Sequence, residues 1–415
     1  MLPVAFIRAH WPMLAYGWLM TFCSGFGQTY FMSIFGGMIR ADFGLDHAVY
    51  GLCYAIATLS SAAVLLWAGR LIDRVSLRMF SLASVGGLVC ATVAMGHTVG
   101  IASLVLAFFL LRFFGQGLMI HSAMTAMGRS FVAERGRAVS FSITGHVLGG
   151  ALLPLAGVSL MSHLSWQQVW LAGGAALAVL GIPGILLLLQ RAEPSDIVTQ
   201  RAVDRSGSAP SEASVHHWTQ AEVLRDPAFY VCMSVLLAPS FITTGLIFHQ
   251  AYIGSQKGWS LLLIATALSA YAVGSFVATM FSGQLVDKLS ARRLVPVALI
   301  PILLSCLWLP FAGTSYGAFI FFGLMGLGTG LVQVISGAIW VEVYGSRHLG
   351  AIRSLAASGS VFSSGLAPGI FGVLLDREWS ADTIAVSCAA YCAAASLLAG
   401  WYLQKARIGR SSHVR

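Results

Sequence analysis

One arginine lies in the middle of a long apolar stretch of this chain. Arg112 stands about halfway along residues 101–123, which are otherwise uncharged. A charge at the centre of a membrane costs at least ~2.5 kcal/mol on insertion scales, so such a residue indicates a functional site and needs a counter-ion. None of the 15 Asp and Glu residues lies in the interior of a predicted span. A bound carboxylate, which a planar guanidinium can hold through two parallel hydrogen bonds, would supply the missing charge.

Other polar side chains interrupt apolar spans and complete the predicted substrate site. With Arg112 they are Gln28, Tyr30, Gln116, His146, Thr243, Thr244 and Gln333. Each has a structural alternative. Backbone carbonyls and water at a cavity wall could hold Arg112. Gln28 could form a hydrogen bond between helices, and the hydroxyls of threonines in helices commonly bond to their own backbone.

His146 is the predicted proton carrier, because the spans contain no carboxylate and imidazole changes charge near neutral pH. Transport would then depend on pH near about 6 to 7, the range in which an unperturbed imidazole titrates. The alternative is a neutral histidine that shares a hydrogen bond between helices.

A ten-residue motif occurs twice, each time after an apolar run of membrane-spanning length. It reads GRLIDRVSLR at residues 69–78 and GQLVDKLSAR at residues 283–292. An aspartate beside cations at the cytoplasmic end of a bundle can form a polar latch that closes in one state and breaks in another. The predicted gating residues are Gly69, Asp73, Arg74, Arg78, Gly283, Asp287, Lys288 and Arg292. The alternative is that these charges only anchor the loop on the cytoplasmic side.

Small residues recur at the same offset as the motif. The pairs are Gly136 and Gly350, Ser140 and Ser354, Gly145 and Gly359, Val147 and Val361, and Pro154 and Pro368. Arg112 corresponds to Gly326 and His146 to Ser360. The small residues therefore repeat between the two halves, but these two polar residues do not. A parallel repeat in a membrane protein is typical of two bundles that rock about a site near the bilayer midplane.

Composition assigns the chain to the membrane class. It is 57% apolar and 9% charged, whereas roughly 25% of the residues of a soluble protein are charged. Apolar runs of 18 or more residues predict an all-α membrane protein with twelve transmembrane helices in two six-helix bundles related by a parallel repeat. The predicted spans are 12–35, 48–68, 79–98, 101–123, 138–161, 167–190, 228–252, 261–282, 294–312, 315–340, 351–373 and 382–403. The predicted domains are an N-terminal bundle at 1–190, a cytoplasmic linker at 191–226, a C-terminal bundle at 227–405 and a cytoplasmic tail at 406–415.

The net charge of +9 follows from membrane topology. Of the 24 Lys and Arg residues, Arg40, Lys257 and Arg377 fall outside, Arg112 lies within a span, and the others lie in segments predicted to be cytoplasmic. This distribution follows the positive-inside rule and predicts cytoplasmic termini in a cell inner membrane, with no nucleic-acid partner. The expected partners are the lipid bilayer, a small anionic substrate and, through His146, protons. We expect a monomer.

The sequence also excludes several classes of function. None of the lysines, Lys257, Lys288 and Lys405, follows a glycine, so the chain lacks the nucleotide-binding loop that ATP-driven transport would need. The 7 cysteines lie inside predicted spans without metal-type spacing, which favours packing over a disulfide framework or a metal site. We expect no cofactor, no metal, no catalytic residues and no enzymatic activity.

The motif at residues 69–78 and its weaker copy at 283–292 resemble the loop motif of the major facilitator superfamily, which lies between helices two and three and again between eight and nine. The resemblance implies a secondary transporter that works by alternating access. The LRDPAFY segment at residues 224–230 and the helix-four arginine are most similar to bacterial oxalate/formate and monocarboxylate transporter-like members. That similarity implies a small carboxylate substrate, moved by proton symport or anion exchange.

Two alternatives stay open. The 11 Trp and 24 Phe residues could supply stacking surface for larger amphiphilic compounds, drug-like or vitamin-like, that are imported or exported. A receptor without transport is the other alternative, and it would be supported if no substrate gradient dissipated in vesicles.

Overall fold

The computed structural model describes residues 4–131, 134–192, 218–345 and 348–411. Within them, the side chains of residues 4, 5, 70, 73 and 404–411 are not described. The described chain forms two compact units. Unit 1 comprises residues 4–45 and 52–192, and unit 2 comprises residues 46–51 and those from 218 onward.

A helix of 20 residues, α1 (Val4–Cys23), opens unit 1. Eleven further helices of the described residues are long and apolar enough to cross a membrane. They are α2 (His47–Ala68), α3 (Leu77–Gly96), α4 (Ile101–Ser130), α5 (Arg135–Leu160), α6 (Trp166–Arg191), α7 (Pro227–Phe248), α8 (Leu261–Leu289), α9 (Ala291–Phe311), α10 (Ser315–Tyr344), α11 (Leu349–Asp376) and α12 (Ala381–Leu403). Each overlaps one predicted span, and the prediction of an all-α membrane protein is confirmed. Several of them, α4 and α8 above all, run past the end of the apolar run, because backbone hydrogen bonding continues where the hydrocarbon core ends.

The first predicted span, residues 12–35, is not one helix, and this part of the prediction is wrong. After α1 a 3₁₀ turn forms at Ser24–Gly27, and Gln28 then adopts extended backbone angles of φ −92° and ψ 149°. Short helices at Thr29–Met32 and Gly36–Phe43 complete the segment. The SGFG sequence favours a break because glycine costs about 1 kcal/mol relative to alanine inside a helix.

Inside unit 1, α1 packs against α4, α5 and α6. Its buried Tyr16 hydroxyl hydrogen-bonds Ser81 of α3 at 2.7 Å and Ser122 of α4 at 2.9 Å. The Thr21 hydroxyl donates to the Ser142 carbonyl of α5. Such polar links hold neighbouring membrane helices in register, where the lipid itself provides no hydrophobic drive for helix association.

In unit 2, small residues bring α8 and α10 close together: a Cβ on Gly274 would lie 2.6 Å from the Gly323 carbonyl oxygen. At another point Lys257 Nζ lies 2.7 Å from the Asp382 carboxylate and donates to the Pro310 carbonyl at 3.2 Å. This ion pair joins a largely buried lysine to a partly exposed aspartate, and it connects the short helix Gln250–Lys257 to the start of α12.

The first turn of α2 also belongs to unit 2. The Asp376 carboxylate accepts hydrogen bonds from the amides of His47 at 3.1 Å and Ala48 at 2.7 Å, and Asp46 accepts one from Val49 at 2.7 Å. Two carboxylates therefore satisfy amides that have no partner within the helix, and they complement the positive end of its dipole.

Candidate substrate site

Arg112 lies where α1 and α4 both depart from regular helix. Within α4, Leu111–Met119 is π-helical and carries Arg112 and Gln116. The break of α1 at residues 24–28 packs directly against this segment. π-Helical turns occur frequently at functional sites, and interrupted helices form the binding sites of many secondary transporters.

Two glycines allow the backbones of α1 and α4 to meet. A Cβ on Gly115 would lie 2.7 Å from the Gly27 Cα. A Cβ on Gly27 would lie 2.8 Å from the Gln116 amide nitrogen and would overlap the Leu111 carbonyl. Neither position accepts a side chain unless the backbone moves.

The break in α1 frees a carbonyl for Arg112. In an uninterrupted helix the Phe31 amide would donate to the Gly27 carbonyl, but here it donates to the Gln28 carbonyl at 3.1 Å. Arg112 Nη1 donates to the Gly27 carbonyl instead, at 3.4 Å. The irregular backbone of α1 is thus partly satisfied by the guanidinium.

An aromatic face also contacts the guanidinium. Arg112 Cζ lies 5.2 Å from the centroid of the buried Tyr54 ring, a cation–π arrangement. The hydroxyls of Tyr54 and Thr29 share a hydrogen bond of 2.6 Å. Neither residue was among the predicted site residues, because a tyrosine inside an apolar span gives no sign of which residues it will face.

Arg112 remains short of negative charge. Its side chain is 4% exposed, no carboxylate of the described residues pairs with it, and its Nε has no hydrogen-bond partner among them. One carbonyl and one aromatic ring compensate only part of the cost of burying a charge. The arrangement is therefore suited to an anion that enters from outside the protein.

Two predicted glutamines flank the same point. Gln28 is the extended residue of the α1 break, and Gln116 follows Arg112 by four positions in α4. Gln28 Nε2 and Gln116 Oε1 are buried and have no hydrogen-bond partner in the described chain. Buried polar atoms are nearly always paired in folded proteins, so atoms left without a partner need a specific explanation.

Tyr30 and His146 lie on the α5 side of the break. Their rings meet edge to face with centroids 5.9 Å apart. Tyr30 packs over Gly150 of α5, and the half-buried His146 has no partner at Nδ1 among the described residues. The structure thus places five of the predicted site residues in one region of unit 1, and their binding roles remain predictions.

The remaining three predicted site residues lie in unit 2. Thr243 of α7 is buried, with its hydroxyl 3.5 Å from that of Thr329 on α10, and Thr244 is half-buried. Gln333 is exposed on α10, one helical turn beyond Thr329. The position of α10 that corresponds to Arg112 is Gly326, so no charge stands there.

The first copy of the motif is a 3₁₀ turn at Gly69–Asp73. His121 Nε2 donates to the Gly69 carbonyl at 3.1 Å, and Arg129 Nη1 donates to the Ile72 carbonyl at 3.4 Å. The predicted latch residue Asp73 has its side chain outside the described part of the chain. The predicted gating cations Arg74 and Arg78 are exposed.

The second copy is built differently. There α8 stays helical through Gly283, Asp287 and Lys288 to Leu289, and the chain turns at Ser290, whose φ is 71°. The exposed Asp287 and Lys288 line a cavity of about 470 Å³ together with Arg293 and Glu342. The Arg292 amide donates to Glu342 at 3.0 Å.

The two copies differ because their carbonyls have different partners. In the first copy, the side chains of His121 and Arg129 donate hydrogen bonds to carbonyls that leave the helix. The corresponding residues of α10 are Ile335 and Val343, which carry no donor. Without side-chain donors the second copy keeps its carbonyls in the helical ladder.

These features define a class of protein: a polytopic helical membrane protein whose interior carries a charge beside an interrupted helix. The sequence model of the Major Facilitator Superfamily matches residues 17–250 and 230–413, and the chain therefore belongs to this superfamily of membrane transporters. It is a multi-pass membrane protein and not an enzyme.

Known relatives agree with this family at low identity. The chain is 24% identical over 384 residues to the membrane sensor protein UhpC of Escherichia coli, covering 88% of this chain and 84% of that one. It is 30% identical over 170 residues to the MFS-type transporter oryF of Aspergillus oryzae, covering 38% of this chain and only 35% of the relative. A solved bacterial homologue of the human lysosomal transporter Spinster matches with a TM-score of 0.64 and 15% identity, over 95% of this chain and 96% of that one. The last match concerns the fold alone.

Proposed function

We propose that this protein is a secondary active transporter that moves a small carboxylate anion across the membrane by alternating access, with Arg112 as its anion-binding residue. The observation that supports this most strongly is a buried guanidinium that contacts one carbonyl and one ring, and no carboxylate of the described residues. The substrate would be the counter-ion. This function also agrees with what is expected from the resemblance of the LRDPAFY segment and the helix-four arginine to oxalate/formate and monocarboxylate transporter-like members.

The energetics favour a ligand of this charge. Leaving one partner of a buried charge pair unpaired costs on the order of 2 to 5 kcal/mol. An anion that reaches Arg112 recovers much of that cost, whereas a neutral ligand recovers little. Gln28 Nε2, buried beside the same break, offers a second donor to the anion.

Two coupling modes fit this site. In proton symport, His146 would carry the proton, since it lies beside Tyr30 in the same region of unit 1. In anion exchange, Arg112 would have to be occupied by one anion or another whenever the site passes through the membrane.

The test is uptake of labelled carboxylates by the purified full-length protein in proteoliposomes. A lysine keeps the charge of Arg112 but lacks the planar set of donors that binds both oxygens of a carboxylate, whereas a glutamine loses the charge. We expect Arg112→Lys to weaken apparent affinity at least tenfold and Arg112→Gln to abolish saturable uptake. Arg377→Gln is the matched control, because it removes an exposed positive charge from unit 2.

Near-normal affinity of Arg112→Gln for an anionic substrate would place the site elsewhere. The transport of larger amphiphilic compounds would then be the better hypothesis. The stacked pair Trp18 and Phe22 on α1, with centroids 5.4 Å apart and both rings half-buried, offers aromatic surface for such a compound.

A sensor is the second candidate function. The relative named as a membrane sensor aligns with 88% of this chain, more than the fungal transporter does. A sensor would bind a ligand at Arg112 without moving it. Saturable, Arg112-dependent binding with no flux into proteoliposomes would favour this role over transport.

A further inference from the structure

We infer that the substrate carries a hydroxyl group in addition to its carboxylate, and that Gln116 is the residue that recognises this hydroxyl. The inference rests on the proposed function and concerns the same site. It names the substrate class as hydroxy-carboxylates.

Three side-chain atoms around the α1 break lack hydrogen-bond partners among the described residues. Arg112 Nε and Gln28 Nε2 are hydrogen-bond donors, whereas Gln116 Oε1 is an acceptor. All three are buried, and none has a partner among the described residues. A ligand that satisfies the whole set must therefore offer both acceptors and a donor.

A plain carboxylate meets only half of this requirement. An ionised carboxylate accepts hydrogen bonds and donates none, so it could satisfy Arg112 and Gln28 but not Gln116. A hydroxyl on the same molecule supplies the missing donor.

The three residues come from adjoining stretches of α1 and α4. Arg112 and Gln116 are four residues apart, so their side chains leave the same face of α4. Gln28 adjoins Gly27. The Gly27 carbonyl accepts a hydrogen bond from Arg112, and the Gly27 Cα lies against the backbone of Gln116. The two ends of a short hydroxy-carboxylate can therefore engage different members of this set.

The size of the effect follows from the cost of an unsatisfied acceptor. An analogue without the hydroxyl binds the carboxylate donors equally well but leaves Gln116 Oε1 buried and unpaired. We expect roughly 10- to 100-fold weaker binding of such an analogue, since one unpaired buried polar group has about that effect on an equilibrium constant. Sites that hydrogen-bond a substrate hydroxyl are more selective than sites that only fit its shape.

The experiment compares acids that differ only by the hydroxyl. The probes are glycolate against acetate and mandelate against phenylacetate, measured as binding to, and uptake by, the full-length protein in proteoliposomes. The hydroxy acid of at least one pair should bind at least tenfold more tightly. Gln116→Met should remove this preference by weakening the hydroxy acid alone, whereas Gln190→Met, at an exposed position of α6, should retain it.

Equal affinity for both members of both pairs in the unmutated protein overturns the inference, and this outcome does not depend on any variant folding. A hydroxyl preference that survives in Gln116→Met overturns the role of Gln116. Arg112→Gln separates the two proposals. If acids bind without a hydroxyl preference but still need Arg112, only this inference fails, and if binding does not need Arg112, the proposed function fails.

Discussion

Arg112 is buried inside an apolar helix with no carboxylate of the described residues beside it. The protein supplies a carbonyl that the α1 break has released and a tyrosine face that a hydroxyl partner keeps in place. The carbonyl and the aromatic ring each stabilise a positive charge only weakly. These two contacts stabilise the guanidinium only in part, and we propose that a bound anion stabilises it further.

His146 is the predicted proton carrier, and its role can be tested. It lies edge to face with Tyr30, and protonation would add a positive charge to a region that already contains Arg112. If His146 carries a proton in with the anion, accumulation should rise as the outside becomes more acidic, because protonated His146 and a bound anion stabilise each other.

The measurement is accumulation of labelled substrate in proteoliposomes under an imposed pH gradient. His146→Gln should remove the dependence on the gradient while counterflow of the anion continues. His163→Gln is a matched control, since His163 is an exposed histidine after α5. Undiminished pH-driven accumulation in His146→Gln would assign His146 to packing.

At the scale of elements, the interruptions of α1 and α4 coincide. The α1 break releases the Gly27 carbonyl, and the π-helical turn of α4 presents Arg112 to it. The two irregular segments meet at the Gly27 and Gly115 contact. There a side chain of α4 satisfies a carbonyl that the α1 break would otherwise leave without its helical partner.

This coupling predicts the effect of a methyl group at the contact. Gly27→Ala would place its Cβ against the backbone of α4 at Leu111 and Gln116, which cannot move aside as a side chain can. We expect a loss of about 1 to 3 kcal/mol of stability from overpacking, together with weaker substrate binding. Thermal unfolding in detergent, monitored by tryptophan fluorescence, and substrate affinity would be measured on the same samples.

The control is Gly37→Ala in the short helix Gly36–Phe43, where a Cβ meets nothing within 4 Å. There the helix propensity of alanine should leave stability unchanged or slightly higher. Equal behaviour of the two variants would show that the contact between α1 and α4 is loose enough to absorb a methyl group.

At the scale of the whole molecule, the sequence repeat does not produce two copies of one site. Unit 1 contains a cation, two glutamines and a histidine around its break, whereas unit 2 has Gly326 and Ser360 at the positions of Arg112 and His146. Unit 2 instead has an ion pair between Lys257 and Asp382, at the start of α12. The repeat accounts for the helices of both units, whereas most of the predicted site residues lie in unit 1.

The orientation of the chain in the membrane is a prediction for the whole molecule. The distribution of Lys and Arg predicts that Ser411 and the linker residue Ser208, which lies outside the described residues, are cytoplasmic. A reporter that is active only in the cytoplasm should therefore be active when fused at Ser411, and one that is active only in the periplasm should be silent there. Periplasmic activity at Ser411 would reverse the predicted topology.

The sequence by itself determined the membrane class, the family resemblance and the approximate bounds of α2 to α12. It could do so because the transfer of each apolar residue into lipid contributes its own free energy, so a run of residues reveals a span without knowledge of its neighbours. The same local reasoning singled out Arg112, since a charge inside an apolar run is unfavourable wherever the run packs.

Only the tertiary structure decided how Arg112 is held. The helix break at Gln28, the π-helical turn of α4 and the side of α2 that carries Tyr54 all depend on contacts between segments far apart in the chain. The same holds for His121 and Arg129, whose donors make the two copies of one motif fold differently. Such contacts decide the structure because a carbonyl leaves its helix only where another part of the chain offers it a donor.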